Sequence, residues 1–389
     1  MSSSPVIFSI FLIFAGAAVL ATAALYARQA MITAYIFIGV ILGPSGAGLI
    51  DDASWIEDVS EIGIMFLLYL LGINMLPQQL WKMIGEAMRV TILSCAAFTL
   101  IGVCIAFGFG FVWHEALLIG STMMFSSTII GLKLLPTTTL HHQHTGQIII
   151  SVLLLQDLFA ILILLIIQGY GVGDNPFVGV AREFVALPVL IAVAYLLERW
   201  MVEPLLRRFD QIPEYIFLLV IAWCLGIAEL ASALGLSHEI GAFIAGVALA
   251  SCPASMFIAD SLRPLRDFFL ILFFFSLGAG FDPSVMMDIL APGLTLAAVL
   301  LVAKPVIFKR LLIHAGERRR LSGEIGARLG QVSEFSLLIA ALAFESGMIT
   351  EPASYVIQSA TLFTFIISSY WIVMRHPTPI AVRDSLRRD

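Results

Sequence analysis

The chain is a succession of apolar runs, each about as long as a bilayer is thick. A spanning helix needs about 20 mostly apolar residues. Thirteen such stretches are predicted, at 5–26, 31–49, 60–81, 88–112, 115–134, 146–169, 178–204, 213–234, 238–258, 264–280, 285–313, 321–344 and 352–374. Their length and apolar bias make them helices, because barrel strands alternate over about ten residues. No Gly/Ser-rich linker or low-complexity block separates them. Residues 1–376 are therefore expected to form one membrane domain, with a short tail at 377–389. No Lys or Arg precedes the first stretch, so it is expected to stay in the protein rather than act as a cleaved signal.

Composition agrees with that pattern. About 60% of the residues are apolar and 12% are charged, whereas a soluble domain is roughly 45–50% apolar and about 25% charged. A soluble enzyme, a nucleic-acid binder, a disulfide scaffold and a disordered protein are excluded. The expectation is an all-α polytopic membrane protein. Cys95, Cys104, Cys224 and Cys252 lie in or beside apolar runs with no CxxC spacing, and read as small hydrophobes. Of the 21 Lys and Arg residues, 18 fall on one side of the predicted spans and Arg182 alone on the other, while Lys304 and Arg328 fall inside. By the positive-inside rule the N-terminus is expected outside and the C-terminus in the cytoplasm, which suits an odd number of spans.

Charges at membrane depth are costly and mark function by default. Asp157 sits mid-span in LLLQDLFAILILL, behind Gln156. Desolvation disfavours an isolated ionised acid there, so it should hold a proton or a cation. The plainer reading is a carboxylate that caps or pairs a neighbouring helix. Lys304 lies mid-span in LLVAKPVIFKRLL. It reads either as a snorkelling lysine or as a buried cation, with Asp157 as the counter-ion nearest in kind. Ser126, Ser127 and Thr128, followed by Gly131, suit a broken helix, although membrane hydroxyls also bond back to their own helix. GARLGQVSEFSLL, with Gln331, Ser333 and Glu334, interrupts helix 12 in the same way. Helices 5 and 12 differ by seven in the count, and an odd offset means inversion. Six helices, a linker and six more give an inverted repeat with two crossing broken helices, a transporter pattern.

His141, His142 and His144 invite a metal reading. Adjacent loop histidines are weak ligand sets, however, and no metal beyond a transported cation is expected. There is no HExxH, P-loop or GxSxG motif, and no cofactor is expected.

Seven blocks in order carry a family resemblance: EIGIMFLLYLLGINMLPQQLW (61–81), FSSTIIGLKLL (125–135), VLLLQDLFAI (152–161), EIGAFIAGVALA (239–250), PLRDFFLILFFFSLGAGFD (264–282), VAKPVIF (302–308) and GQVSEFSLL (330–338). The chain resembles the second family of monovalent cation:proton antiporters over essentially its whole length, and most of all the membrane domain of glutathione-gated (Kef-type) potassium-efflux antiporters. The resemblance implies that Asp157 is the shared proton and cation carboxylate, with Gln156 beside it. It implies that Ser126, Ser127 and Thr128 lie on one crossing helix and Gln331, Ser333 and Glu334 on the other. Lys304 is implied to pair with Asp157 and compensate its charge. Helices 1–3 and 8–10 would form a dimerisation domain, helix 7 a linker, and helices 4–6 and 11–13 the ion-binding core. The implied protein is a multi-pass secondary transporter of the inner membrane and not an enzyme. It would be a homodimer exchanging K⁺, or Na⁺, for H⁺ by alternating access and electroneutrally, with no nucleic-acid partner.

Three features depart from that family. Gly72-Ile73-Asn74 replaces Gly-Leu-Glu, and CPASMFIADSLRPLRDFF replaces an acidic regulatory loop. No nucleotide-binding domain is expected after the last span, so gating by glutathione and nucleotides is not carried over. Any cytosolic regulatory subunit has no identity in the sequence. Three other classes remain open at this stage. They are a channel-like cation pathway, a non-transporting sensor with a structural Asp157–Lys304 pair, and an intramembrane metalloenzyme using His141–His144.

Overall fold

The structure is a computed structural model describing residues 5–27, 29, 31–50, 54–74, 77–133, 144–170, 176–280 and 286–376. The tail at 377–389 and the loop residues His141 and His142 lie outside the described residues. Among those described, every regular element is helical and no strand occurs. The helices are α1 (Pro5–Tyr26), α2 (Met31–Leu42), α3 (Ser54–Asn74), α4 (Pro77–Gly108), α5 (Trp113–Thr122), α6 (Thr128–Lys133), α7 (His144–Tyr170) and α8 (Pro176–Leu197). A π turn at Glu198–Val202 joins α8 to α9 (Glu203–Arg208). There follow α10 (Pro213–Ala233), α11 (His238–Leu249), α12 (Ser255–Ala279), α13 (Met286–His314), α14 (Arg319–Arg328), α15 (Glu334–Glu345) and α16 (Glu351–Arg375).

Seven of the described helical stretches are long and apolar enough to cross a membrane: α1, α4, α7, α8 with α9, α10, α13 and α16. Apolar stretches in α2, α3 and α11 are shorter. The stretches at 115–134 and 321–344 are each interrupted, as α5 then α6 and as α14 then α15. One expected boundary is corrected. The segment read as a loop ahead of residue 264 is largely the first half of α12, which begins at Ser255. An apolar-run criterion misses it because it is amphipathic, with Asp260 and Arg263 paired at 3.0 Å and Arg266 and Asp267 at 2.7 Å.

The chain divides into two compact units. One comprises Met1–Val19, Tyr35–Lys82 and Gln168–Phe281. Within it α3 lies against both α11 and α12, and α10 against α11. The approach of α3 and α11 is backbone to backbone. A Cβ on Gly246 would stand 2.1 Å from the Tyr69 carbonyl oxygen, and one on Gly72 2.4 Å from that of Phe243. Phe66 and Phe269 stack alongside, ring centres 5.8 Å apart, and the Trp223 indole N–H donates to the Ala245 carbonyl at 3.0 Å.

The other unit comprises Leu20–Ala34, Met83–Ile167 and Asp282–Asp389. Here α13 lies against α14 and α16, and α15 against α16. Both helix interruptions, Asp157 of α7 and Lys304 of α13 belong to this unit.

Close glycine contact makes a size prediction. Gly246→Val forces α3 and α11 apart and is expected to cost about 1–3 kcal/mol. Gly226 of α10, where a Cβ meets nothing within 4 Å, serves as the control. Gly226→Ala should be neutral or stabilise by about 0.5–1 kcal/mol. Paired thermal melts in detergent check both; equal melting temperatures would contradict the close approach.

Candidate functional site

A helix broken inside a bilayer releases backbone groups that only protein can satisfy. At the first break, after α5, the carbonyls of Met123 and Phe125 accept from Lys304 Nζ at 3.3 and 2.5 Å. The Met124 carbonyl accepts from Gln156 Nε2 at 3.1 Å, and the Ser126 N–H donates to Gln156 Oε1 at 2.9 Å. Ser127 turns the chain into α6, its hydroxyl accepting from the Ile130 N–H at 3.1 Å. The second break, after α14, is tied to the first. Ser126 Oγ donates to the Leu329 carbonyl at 3.0 Å, Gln331 Nε2 to the Ser127 carbonyl at 3.4 Å, and Ser336 Oγ to the Thr122 carbonyl at 2.6 Å. Lys304 reaches this break too, donating to the Gln331 carbonyl at 3.0 Å.

Lys304 is fully buried and sits 5.2 Å from the centre of the Phe98 ring. Its ammonium thus meets three carbonyls and an aromatic face. Among the described residues no carboxylate lies within ion-pair distance of it. The expected pairing of Lys304 with Asp157 is corrected accordingly. Met123 and Phe125 lie where α5 ends and Gln331 lies just past the end of α14. Helix C-termini carry partial negative charge, and they take the place of the carboxylate.

Gln156 is also fully buried. Both ends of its amide hold the first break, with Nε2 also 3.9 Å from Cys95 Sγ.

Asp157 is 1% exposed and accepts from Thr128 Oγ1 at a long 3.4 Å. Among the described residues it has no cation within ion-pair distance. Thr128 opens α6. Glu334 is buried at the start of α15. Ser333 caps α15 by accepting from the Phe335 N–H at 3.2 Å. The acids therefore lie toward the starts of half-helices, where the dipole favours negative charge, and the lysine toward their ends.

Some contributors escaped the sequence reading. On α16, Thr364 Oγ1 accepts the Val332 N–H at 3.1 Å and Ser368 Oγ donates to Gln331 Oε1 at 3.0 Å. Their signal is a buried polar stripe at Ser354, Gln358, Thr361, Thr364 and Ser368, recurring at helical spacing through an apolar span. Arg328, 1% exposed, is held by Glu324 at 2.9 Å. Buried Glu115 of α5 accepts the Thr350 N–H at the start of α16, at 2.9 Å. His144 pairs with Glu317 at 2.8 Å, and no group of three or more His, Cys, Asp or Glu side chains able to hold a metal occurs among the described residues.

Comparison with known proteins places this arrangement. The pattern of the transmembrane sodium/hydrogen exchanger family matches residues 9–374. The chain is similar to a glutathione-regulated potassium-efflux system protein, KefC, of Cronobacter sakazakii, with 31% identity over 78% of this chain and 50% of that protein. It is also similar to an iron transporter, MagA, of Paramagnetospirillum magneticum, with 24% identity over 89% of this chain and 80% of that protein. The chain thus spans about half the length of the efflux protein. Among solved structures, a sodium proton antiporter of Methanocaldococcus jannaschii superposes with a TM-score of 0.71 at 17% identity, over 94% of this chain and 95% of that one. That likeness shows a shared fold.

The backbone role of Lys304 is testable by stability. Lys304→Met keeps the stem but strands three buried carbonyls, at about 1–3 kcal/mol for each group left unsatisfied. It should be folded but melt well below wild type in detergent. Thr364→Val, which strands one N–H, should lose about a third as much. A Lys304→Met protein that melts like wild type would refute the bracing role.

Proposed function

The chain belongs to the sodium/hydrogen exchanger family, and from that we propose that it exchanges a monovalent cation, K⁺ ahead of Na⁺, for protons across a membrane. The observation that carries the proposal is Asp157, a carboxylate 1% exposed with a long hydroxyl bond and no paired cation among the described residues. An ionised acid at that depth is costly alone, and a proton or a dehydrated cation relieves it equally well. Competition between the two for one carboxylate is the coupling.

The cycle runs as follows. A proton arriving on Asp157 from one face neutralises it. The unit that holds both breaks then carries the site to the other face, where a cation displaces the proton. The Thr128 hydroxyl stands ready as an oxygen ligand, and the Ser127 carbonyl lies at the head of the same half-helix. Gln156 and Lys304 hold those groups in register but do not titrate with the cargo. Glu334 adds negative charge beside the cation. The donors are hard oxygens, which suit an alkali cation better than iron. Resemblance to the potassium-efflux branch favours K⁺. Helices α1–α3 and α10–α12 are assigned to a homodimer contact, and α8 with α9 to the linker. An excess of basic residues on one side orients the C-terminus to the cytoplasm, in an inner membrane.

Two outcomes test this reading. Asp157→Asn, purified as a folded, monodisperse protein, should lose cation-driven proton movement in proteoliposomes for K⁺, Na⁺ and Li⁺ alike, while wild type responds most strongly to K⁺. Wild-type-like flux in that variant would end the proposal. Second, one acid exchanging one charge for one is electroneutral. The exchange rate at fixed ion gradients should therefore not change when membrane voltage is imposed independently. A rate that scales with voltage would count against a single-carboxylate cycle.

A further inference from the structure

The turn between α13 and α14 gathers five exposed cations: Lys309 and Arg310 from the last turns of α13, and Arg318, Arg319 and Arg320 where α14 begins. Gly316, at φ +98°, lets the chain reverse there. The stem of Lys309 passes beside Gly323 of α14, joining the two groups into one patch. None of the five has a carboxylate within ion-pair distance among the described residues. The nearby acids are taken: Glu317 by His144 at 2.8 Å and Glu324 by the buried Arg328 at 2.9 Å. Three arginines at the start of a helix also oppose its dipole, so the patch is unfavourable until an anion meets it.

The lipid-facing side of α13 says which anion. Val299, Val302 and Val306 are 38%, 67% and 41% exposed on a helix long and apolar enough to span. Three and four residues beyond Val306, on the same face, come Lys309 and Arg310. We propose that this patch binds an anionic phospholipid, its acyl chain along Val299–Val306 and its phosphate among Lys309, Arg310 and Arg318–Arg320. Because α14 runs from the patch to Arg328, bound lipid steadies the half-helix that leads into the second break.

The experiment is a titration of delipidated protein in detergent with phosphatidylglycerol or phosphatidylcholine, read by thermal melting and by lipid retained in native mass spectrometry. Wild type should be stabilised by phosphatidylglycerol at concentrations about tenfold or more below those of phosphatidylcholine. The variant Arg318→Gln/Arg319→Gln/Arg320→Gln should lose that preference. An equal charge change elsewhere, Arg199→Gln/Arg207→Gln/Arg208→Gln, should keep it. If the first variant does not fold, Lys309→Gln/Arg310→Gln must show the same loss. Equal response to both lipids, or equal loss in both triple variants, would overturn the proposal. So would stabilisation by free glycerol phosphate at the same concentrations, because the acyl stripe would then contribute nothing.

Discussion

Inside a bilayer there is no water to accept or donate a hydrogen bond, and this one constraint organises the unit that carries Asp157. A broken helix is tolerated there only if other parts of the protein take up the groups it frees. Two breaks meet, and each supplies partners to the other: Ser126 to Leu329, Gln331 to Ser127, Ser336 to Thr122. What they cannot supply comes from three unbroken helices. Gln156 serves from α7, Lys304 from α13, and Thr364 and Ser368 from α16. Asp157 is held next to this lattice without being consumed by it.

The electrostatics follow from the same geometry. Breaking a helix creates a new start and a new end mid-membrane, and with them a positive and a negative pole. Lys304 satisfies the negative ends directly, through carbonyls. Thr128 and Glu334 belong to the new starts. The buried cation is thereby compensated by backbone carbonyls and not by Asp157. A permanent Asp157–Lys304 pair would have tied the two side chains together, since breaking a buried pair is strongly unfavourable.

Much of this was legible in the letters. The long apolar runs gave the helices, and hydroxyl and small residues at 126–131 and 326–334 marked both interruptions. The partners of Lys304 and Gln156 were not legible. Reading by sign matched a lysine with an aspartate, whereas the ammonium is met by carbonyl oxygens that every residue carries. The stripe on α16 was visible as polar residues at helical spacing, yet single hydroxyls in an apolar span read as ordinary back-bonding. The start of α12 was hidden because its charges are paired with one another along one short helical stretch.

The clamp on the first break has an evolutionary corollary. Lys304 grips Met123 and Phe125 by their carbonyls, so the side chains at those two positions are invisible to it. Substitution there is limited by the buried core around Met123 and Phe125 and not by the lysine. Related chains should therefore share the lysine without sharing the residues it holds.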